Sequence, residues 1–154
     1  MPSNLIKVRI TKLKEYANLP TQGSKAAAGY DLYACIDPSE VVEIAPHTTA
    51  KISVGIKTEI SSGNVGLIFA RSGLATKQDL APANKVGVID SDYRGEWFVP
   101  LHNHGSEVRC IANGERIAQV IFMPVPSIEM IEVTEEELTE TERGEGGFGS
   151  TGTN

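Results

Sequence analysis

The residues best suited to chemistry sit in "GVIDSDYRGE", residues 87–96, where two aspartates, a tyrosine, an arginine and a glutamate fall between apolar Val88-Ile89 and Trp97-Phe98-Val99. A hairpin turn asks only for Gly, Asn or Asp, for backbone reasons. This turn therefore carries more charge than reversal requires. If the chain is extended there, Asp90 and Asp92 share a face. A second stretch, "ARSGLA" at residues 70–75, places an arginine, a hydroxyl and a flexible backbone after the apolar "VGLIF". At the start of a short helix such a set can grip an anion. The simpler alternative is an ordinary strand-to-helix cap, with Ser72 bonding backbone amides.

Four further stretches carry candidate groups. In "AAAGYDLYA", residues 26–34, small residues and Gly29 let a backbone approach closely, and Asp31 follows as a carboxylate between Tyr30 and Leu32. It holds metal-bound water or caps a turn. "NGERIAQVIF", residues 113–122, is a turn and then a strand, with Asn113-Gly114 as the hairpin signal. On an extended strand Arg116 and Gln119 fall on opposite faces, and Arg116 reads as a surface or interface ion pair. His102 and His104 share a strand face, as two metal ligands could. Cys110 reads as core and offers no third ligand, so a solvated strand end is the simpler reading. After Glu142 the chain runs "RGEGGFGSTGTN", which cannot bury enough surface to order itself. Its Arg143, Phe148, Ser150 and Thr151 nevertheless suit a segment that orders on a ligand, with arginine and amides for phosphate and a phenyl ring for a base.

The elements that must position these groups are short. "LIKVRI" and "KISVGIKTEI" alternate, and "VGLIFA", "KVGVI", "EWFVPL", "EVRCIA", "RIAQVIF" and "IEMIEV" are rich in β-branched or aromatic residues. Gly, Pro, Asn, Asp and Ser lie between them. The pattern predicts an all-β fold, a jelly-roll-like β-barrel or sandwich of short strands. The 15 Gly and 8 Pro fit frequent turns. They leave room for at most one short helix, around Leu74 to Gln78. A weaker helical candidate, "TEEELTE" from Thr134, has only Leu138 as an apolar contact.

A chain of 154 residues fits one domain with a core that stands without staples. The net charge of −6 is unevenly spread. Residues 1–128 hold 13 basic and 12 acidic side chains, while the other eight acids are glutamates between Glu129 and Glu145. The expected division is a body over residues 1–133 and a flexible arm, acidic and then Gly-rich, over residues 134–154. No basic face for nucleic acid is expected. Cys35 and Cys110 make no disulfide framework and read as buried free thiols. "MPSNLIKVRI" lacks the apolar core of a signal peptide, and "VIFM" is too short to span a bilayer. The expectation is a cytoplasmic protein without a membrane partner, a nuclear or organellar form being left open.

Taken together and in order, "AGYDL", "RSG", "GVIDSDYRG", "GERIAQ" and "RGEGGFGSTG" resemble the five motifs of the homotrimeric dUTPase family. The likeness runs from about residue 25 to residue 151. It implies hydrolysis of dUTP to dUMP and pyrophosphate with Mg²⁺, which keeps uracil out of DNA and supplies dUMP for thymidylate synthesis. It implies Asp90 as the base that activates water for attack at the α-phosphate, since an aspartate is ordinarily ionised at neutral pH. Arg71, Ser72 and Gly73 would grip the phosphates, Asp31 would hold waters of the Mg²⁺ shell, and Gln119 would support the network near the reaction centre. Asn84 and backbone groups near Val88, Ile89 and Phe98 would read uracil, with Tyr93 against the deoxyribose excluding a 2′-hydroxyl. The tail would close over a neighbouring subunit's site, with Phe148 stacked on uracil and Arg143, Ser150 and Thr151 on the terminal phosphates. Each site would then draw on three chains.

The sequence departs from the family pattern at Phe69-Ala70, where a proline commonly precedes the arginine, and at Pro100, which predicts an edge strand or a bulge. Two alternatives stand beside the family reading. A dCTP deaminase shares the fold and trimer but needs a glutamate three residues before the asparagine of the following strand, and here that residue is Pro100. A non-catalytic nucleotide-binding regulator on the same fold is the other; against it, every implied catalytic and phosphate-binding residue is present.

Overall fold

Ile56–Ile60 is buried at every second residue, as expected of a strand with one face inside and one in water. Most of the molecule is built from such segments. The computed structural model describes residues 5–147. Along the chain lie β1 (Val8–Lys12), β2 (Thr21–Gln22), β3 (Tyr30–Tyr33), β4 (Val41–Ile44), β5 (Thr49–Ser53), β6 (Ile56–Ile60) and β7 (Asn64–Phe69). Helix α1 (Ser72–Gln78) follows, then β8 (Leu80–Pro82), β9 (Gly87–Ile89), β10 (Phe98–Asn103), β11 (Arg109–Ala112), β12 (Arg116–Pro124) and a 3₁₀ turn (Glu135–Glu137).

Every strand pairing is antiparallel. The largest sheet has the order β2-β3-β12-β7-β9, a second has β5-β10-β8, and β1-β6 and β4-β11 form two ribbons. Trp97, Leu32, Ile52, Leu101, Ile117 and Val120 are fully buried between these layers. Each such Leu, Ile or Val is worth about 1.5–3 kcal/mol relative to exposure, so packing between sheets rather than the turns holds the body together. Asn103 is the exception in polarity. It is fully buried, and its amide donates to the Ile44 and Glu107 carbonyls while its oxygen accepts from Gly105 N. A buried amide satisfied in this way ties β10 to β4 without an unpaired group. The architecture is a jelly-roll-like sandwich with one short α-helix; among the described residues the sheets do not close into a barrel.

Several details depart from the sequence reading. Cys35 is buried, and burial pushes its thiol pKa up, but Cys110 is exposed. On β11 it is Ile111 that faces the core, and the strand period turns its neighbours out. Pro100 lies neither on an edge nor in a bulge, because β10 runs between β5 and β8. Its carbonyl accepts from Ala83 N at 2.7 Å. In an antiparallel ladder a residue's two polar groups point the same way. The missing donor therefore faces the chain just beyond the end of β8, where only one terminal bond is forfeited. "IEMIEV" forms no strand. After β12, Val125 N bonds Gly63 O, and Ile128, Met130 and Ile131 are left 71%, 91% and 72% exposed. Thr134 opens the 3₁₀ turn through a capping box with Glu137, which replaces the helix considered there. Among the described residues no helix is long and apolar enough to cross a membrane.

Candidate active site

Three neighbouring strands of the large sheet bring the first, second and fourth motifs together. Asp31 on β3 faces Gln119 on β12, and Gln119 in turn faces Phe69 at the end of β7. Arg71, just past β7, donates from Nε to Asp31 Oδ1 at 2.8 Å and from Nη1 to the Arg116 carbonyl at 3.2 Å. Arg116 donates from Nη1 to Asp31 Oδ2 at 3.3 Å. Gln119 donates from Nε2 to the Ala70 carbonyl at 2.9 Å. One carboxylate thus orients two guanidinium groups and leaves a net positive charge beside a cleft of about 480 Å³, bordered by Arg71, Gly73, Lys77 and Arg116. Asp31 and Arg71 are mostly shielded from water, at 15% and 25% side-chain exposure, so their attraction is less screened than that of a surface pair.

Arg116 is the residue the sequence reading undervalued. Counted along a regular strand, Arg116 and Gln119 point to opposite faces. The β3–β12 register shifts between Arg116 and Ala118, and Ile117 and Ala118 are both buried. The extra residue, Ile117, makes a β-bulge that reverses the phase of the strand. Arg116 is thereby carried to the face of Asp31. No local signal in "GERIAQ" announces this, because the bulge is defined by its partner strand.

Helix α1 begins as expected but is not capped as expected. Arg71 occupies the N-cap with extended backbone, and no side chain caps the helix. Ser72 is instead the first helical residue, with its carbonyl accepting from Thr76 Oγ1 at 2.8 Å. The Ser72 hydroxyl is therefore not spent on the helix end, and a Cβ at Gly73 would meet nothing.

The third motif lies elsewhere. β9 runs beside β7 with Gly66 opposite Ile89 and Ile68 opposite Gly87. Continuing that register puts Asp90 beside Val65, at the end of β7 remote from Arg71. The six-residue span from Val65 to Arg71 is about 20 Å of extended chain. Asp90 is exposed and rims a separate cleft with Gly63, Asn64, Val88 and Val125. Asp90 and Asp92 do not share an extended face, because the Asp90 carbonyl accepts from Tyr93 N at 3.1 Å and closes a turn. Tyr93 is 42% exposed and donates from its hydroxyl to the Glu96 carbonyl. At the start of β9, Asn84 Nδ2 would lie 3.4 Å from a Cβ on Gly87. Val88 is exposed and Ile89 buried. Phe98 opens β10, its ring 4.0 Å beneath Lys51 Nζ.

In the tail, Arg143 donates from Nε to the Gly146 carbonyl of its own segment. Phe148, Ser150 and Thr151 lie outside the described residues. His102 and His104 have ring centroids 4.5 Å apart, with Thr49 Oγ1 at 2.9 Å from His102 Nδ1. Among the described residues no group of three or more His, Cys, Asp or Glu could hold a metal ion. Asp31 does fit an outer-sphere role toward Mg²⁺. A carboxylate has about four lone-pair positions, and here each oxygen accepts one arginine N–H, leaving room for water.

The sequence model of the dUTPase family matches residues 15–152. A deoxyuridine 5′-triphosphate nucleotidohydrolase of Desulfitobacterium hafniense is 47% identical over 152 residues, spanning 97% of this chain and 98% of that one. One of Candida albicans is 44% identical over 136 residues, 88% and 82% of the two chains. A solved structure of the Staphylococcus bacteriophage 80alpha dUTPase with dUpNHpp superposes with a TM-score of 0.83 at 29% identity, covering 96% of this chain and 99% of that one.

Proposed function

The chain belongs to the dUTPase family, and from that premise we propose how its residues divide the work of hydrolysing dUTP to dUMP and pyrophosphate. The enzyme is a dUTP diphosphatase, which limits uracil in DNA and supplies dUMP for dTTP synthesis. A deaminase is not favoured, since Pro100 offers neither acid nor base.

One observation carries the division. The Asp90 end and the Arg71 end of β7 are about 20 Å apart, too far for both groups to touch one triphosphate within a chain. A site that uses both joins two copies, which supports the shared sites of the homotrimer that the family resemblance implies. Ile128, Met130 and Ile131 after β12 are exposed, as a segment that packs on a neighbouring copy would leave them in a single chain. The acidic and Gly-rich arm over residues 134–154 is the segment that would close over a neighbouring subunit's site.

In this arrangement one copy supplies Asp90. Its carboxylate takes a proton from the attacking water as that water reaches the α-phosphorus. The same copy presents Asn84 and the backbone of Val88, Ile89 and Phe98 to uracil. Backbone donors and acceptors have fixed polarity, so cytosine would leave them unpaired, which penalises it strongly. Tyr93 stands against C2′ and excludes a hydroxyl. The second copy supplies Arg71, Ser72 and Gly73 to the phosphates. Asp31 aims Arg71 and Arg116, and Gln119 supports the water and phosphate network. Charge developing on the phosphates is met by groups already in place. Asp31 would hold waters of a Mg²⁺ shell, and the ion would supply further neutralisation of phosphate charge. A third copy closes the site with Arg143, Phe148, Ser150 and Thr151.

Subunit mixing tests the reading. Arg71→Ala and Asp90→Asn chains should each be nearly inactive alone. Unfolded and refolded together, they should regain activity, because some sites then pair an intact Asp90 with an intact Arg71. No recovery in trimers shown to be mixed by native mass spectrometry would place both groups on one chain. Pyrophosphate release compared across dUTP, dCTP, dTTP and UTP reads out the base and sugar selectivity.

A further inference from the structure

The loop between β9 and β10 is braced by a residue outside the roles above. Arg94 Nη1 lies 2.8 Å from the Ser91 carbonyl, 3.2 Å from the Tyr93 carbonyl and 3.4 Å from the Thr58 carbonyl of β6. Two N–H bonds are shared among three carbonyls. Two of these belong to the loop that carries Asp90 and Tyr93, and the third to a strand of a different sheet. The far end of the loop is held separately, with Trp97 N donating to the Ile56 carbonyl at 3.0 Å, the Trp97 carbonyl accepting from Val54 N at 2.9 Å and Ser53 Oγ donating to Glu96, whereas around Asp90 and Tyr93 the other bonds are local. Tyr93 N donates to the Asp90 carbonyl and the Tyr93 hydroxyl to the Glu96 carbonyl, both at 3.1 Å. The Tyr93 ring lies across Gly95, where a Cβ would overlap it. The phenol therefore rests on a surface that only glycine leaves open, and the backbone beneath it is held by Arg94.

We infer that Arg94 is a positioning residue for the reaction: by drawing the Ser91 and Tyr93 carbonyls toward Thr58 it sets the direction of the Asp90 carboxylate and the height of the Tyr93 ring. The inference rests on the roles given above to Asp90 and Tyr93. Arg94 is not asked to touch substrate. Its charge is met by carbonyl dipoles, and all three contacts converge on one nitrogen. A lysine ammonium, with three N–H bonds on one nitrogen, can reproduce much of that geometry. Methionine fills the same space and reproduces none of it. A misplacement of about 1 Å at a reacting group costs on the order of 10²-fold in rate, so a loosened turn should be felt in turnover and in sugar selectivity together.

The test uses the full-length enzyme. Arg94→Met should lower kcat for dUTP about 10- to 100-fold and the dUTP-over-UTP ratio of kcat/KM about tenfold. KM for dUTP should stay within about threefold, and the thermal midpoint should hold, because the two shorter contacts lie in an exposed loop. Arg94→Lys should recover most of both losses. A rise in KM with the sugar ratio unchanged would mean that Arg94 binds phosphate directly, and would overturn the inference. So would a lysine variant as impaired as the methionine variant. Should Arg94→Met fail to fold, Arg94→Ala carries the same comparison, since it too leaves the three carbonyls without a donor. Tyr93→Ala is measured alongside. If it leaves the dUTP-over-UTP ratio intact, the underlying reading of the sugar site fails. If it collapses the ratio while Arg94→Met does not, the Arg94 inference alone fails.

Discussion

Gly29 lies against Gln119: a Cβ on Gly29 would stand 2.7 Å from Gln119 Oε1. Gln119 spends its amide nitrogen on the Ala70 carbonyl, so this oxygen position is set by the empty space above Gly29. Glycine is needed here for close approach and not for an unusual backbone angle.

Gly29→Ala should therefore move Gln119 without disturbing the core. Because the displaced atom ends a flexible side chain, the thermal midpoint should change little. Turnover of dUTP should fall about tenfold, as expected for a group shifted by a fraction of an ångström to an ångström. Steady-state pyrophosphate release and a melting curve on the same sample check both halves. A large loss of stability would contradict the account.

Asp31→Asn leaves one acceptor oxygen for two arginines. Arg71 and Arg116 would no longer both be held. We expect kcat/KM for dUTP to fall about 10- to 100-fold. Stability should drop by about 1.5–3 kcal/mol, the range for hydrogen bonds to charged groups. Arg116→Ala keeps the shorter Arg71–Asp31 contact, so its effect should be smaller. An Arg116 variant worse than Asp31→Asn would reverse the assigned order of importance. Kinetics and urea unfolding of both variants decide it.

Asp90→Asn keeps size and hydrogen bonding but removes the proton acceptor. Calorimetry should still find dUTP bound, while turnover falls by roughly 10² or more. Near-normal turnover would point to a different base.

A chain ending at Glu142 loses Arg143 and everything after it, while β12 already ends at Pro124. It should fold and assemble, but turnover should drop sharply once the segment that excludes water is gone. Refolded with full-length Asp90→Asn chains, it should regain activity above either parent, because base and tail come from different copies. A mixture no better than its parents would show that each copy covers its own base.

Much of the fold is legible in the sequence because its causes are local. Alternation in "KISVGIKTEI" is a property of neighbouring residues, and it becomes the alternating burial of β6. Arg71, Ser72 and Gly73 after an apolar strand predict a short helix, and Ser72–Gln78 is one. Where local pattern fails, a distant partner is the cause. "IEMIEV" has strand-like residues but pairs with no strand among the described residues, so it lies outside the sheets they form. Cys110 looks apolar in sequence, yet Ile111 claims the inward position on β11.

The same division runs through the candidate site. By itself the sequence determined which groups are available, from the carboxylates of Asp31 and Asp90 to the guanidinium of Arg71 and the glycine tail. It also determined that they ride on short strands of a sandwich, since residue type and two-residue periodicity are written in adjacent positions. The tertiary structure decided which of these groups meet. The bulge at Ile117 turns Arg116 toward Asp31, and the β7–β9 register carries Asp90 to the far end of the strand from Arg71. Both outcomes follow from strand pairing over long sequence separations. One extra residue on one strand inverts every side chain beyond it, and an antiparallel partner reverses which end is near. Neither can be seen until the partner strand is in place.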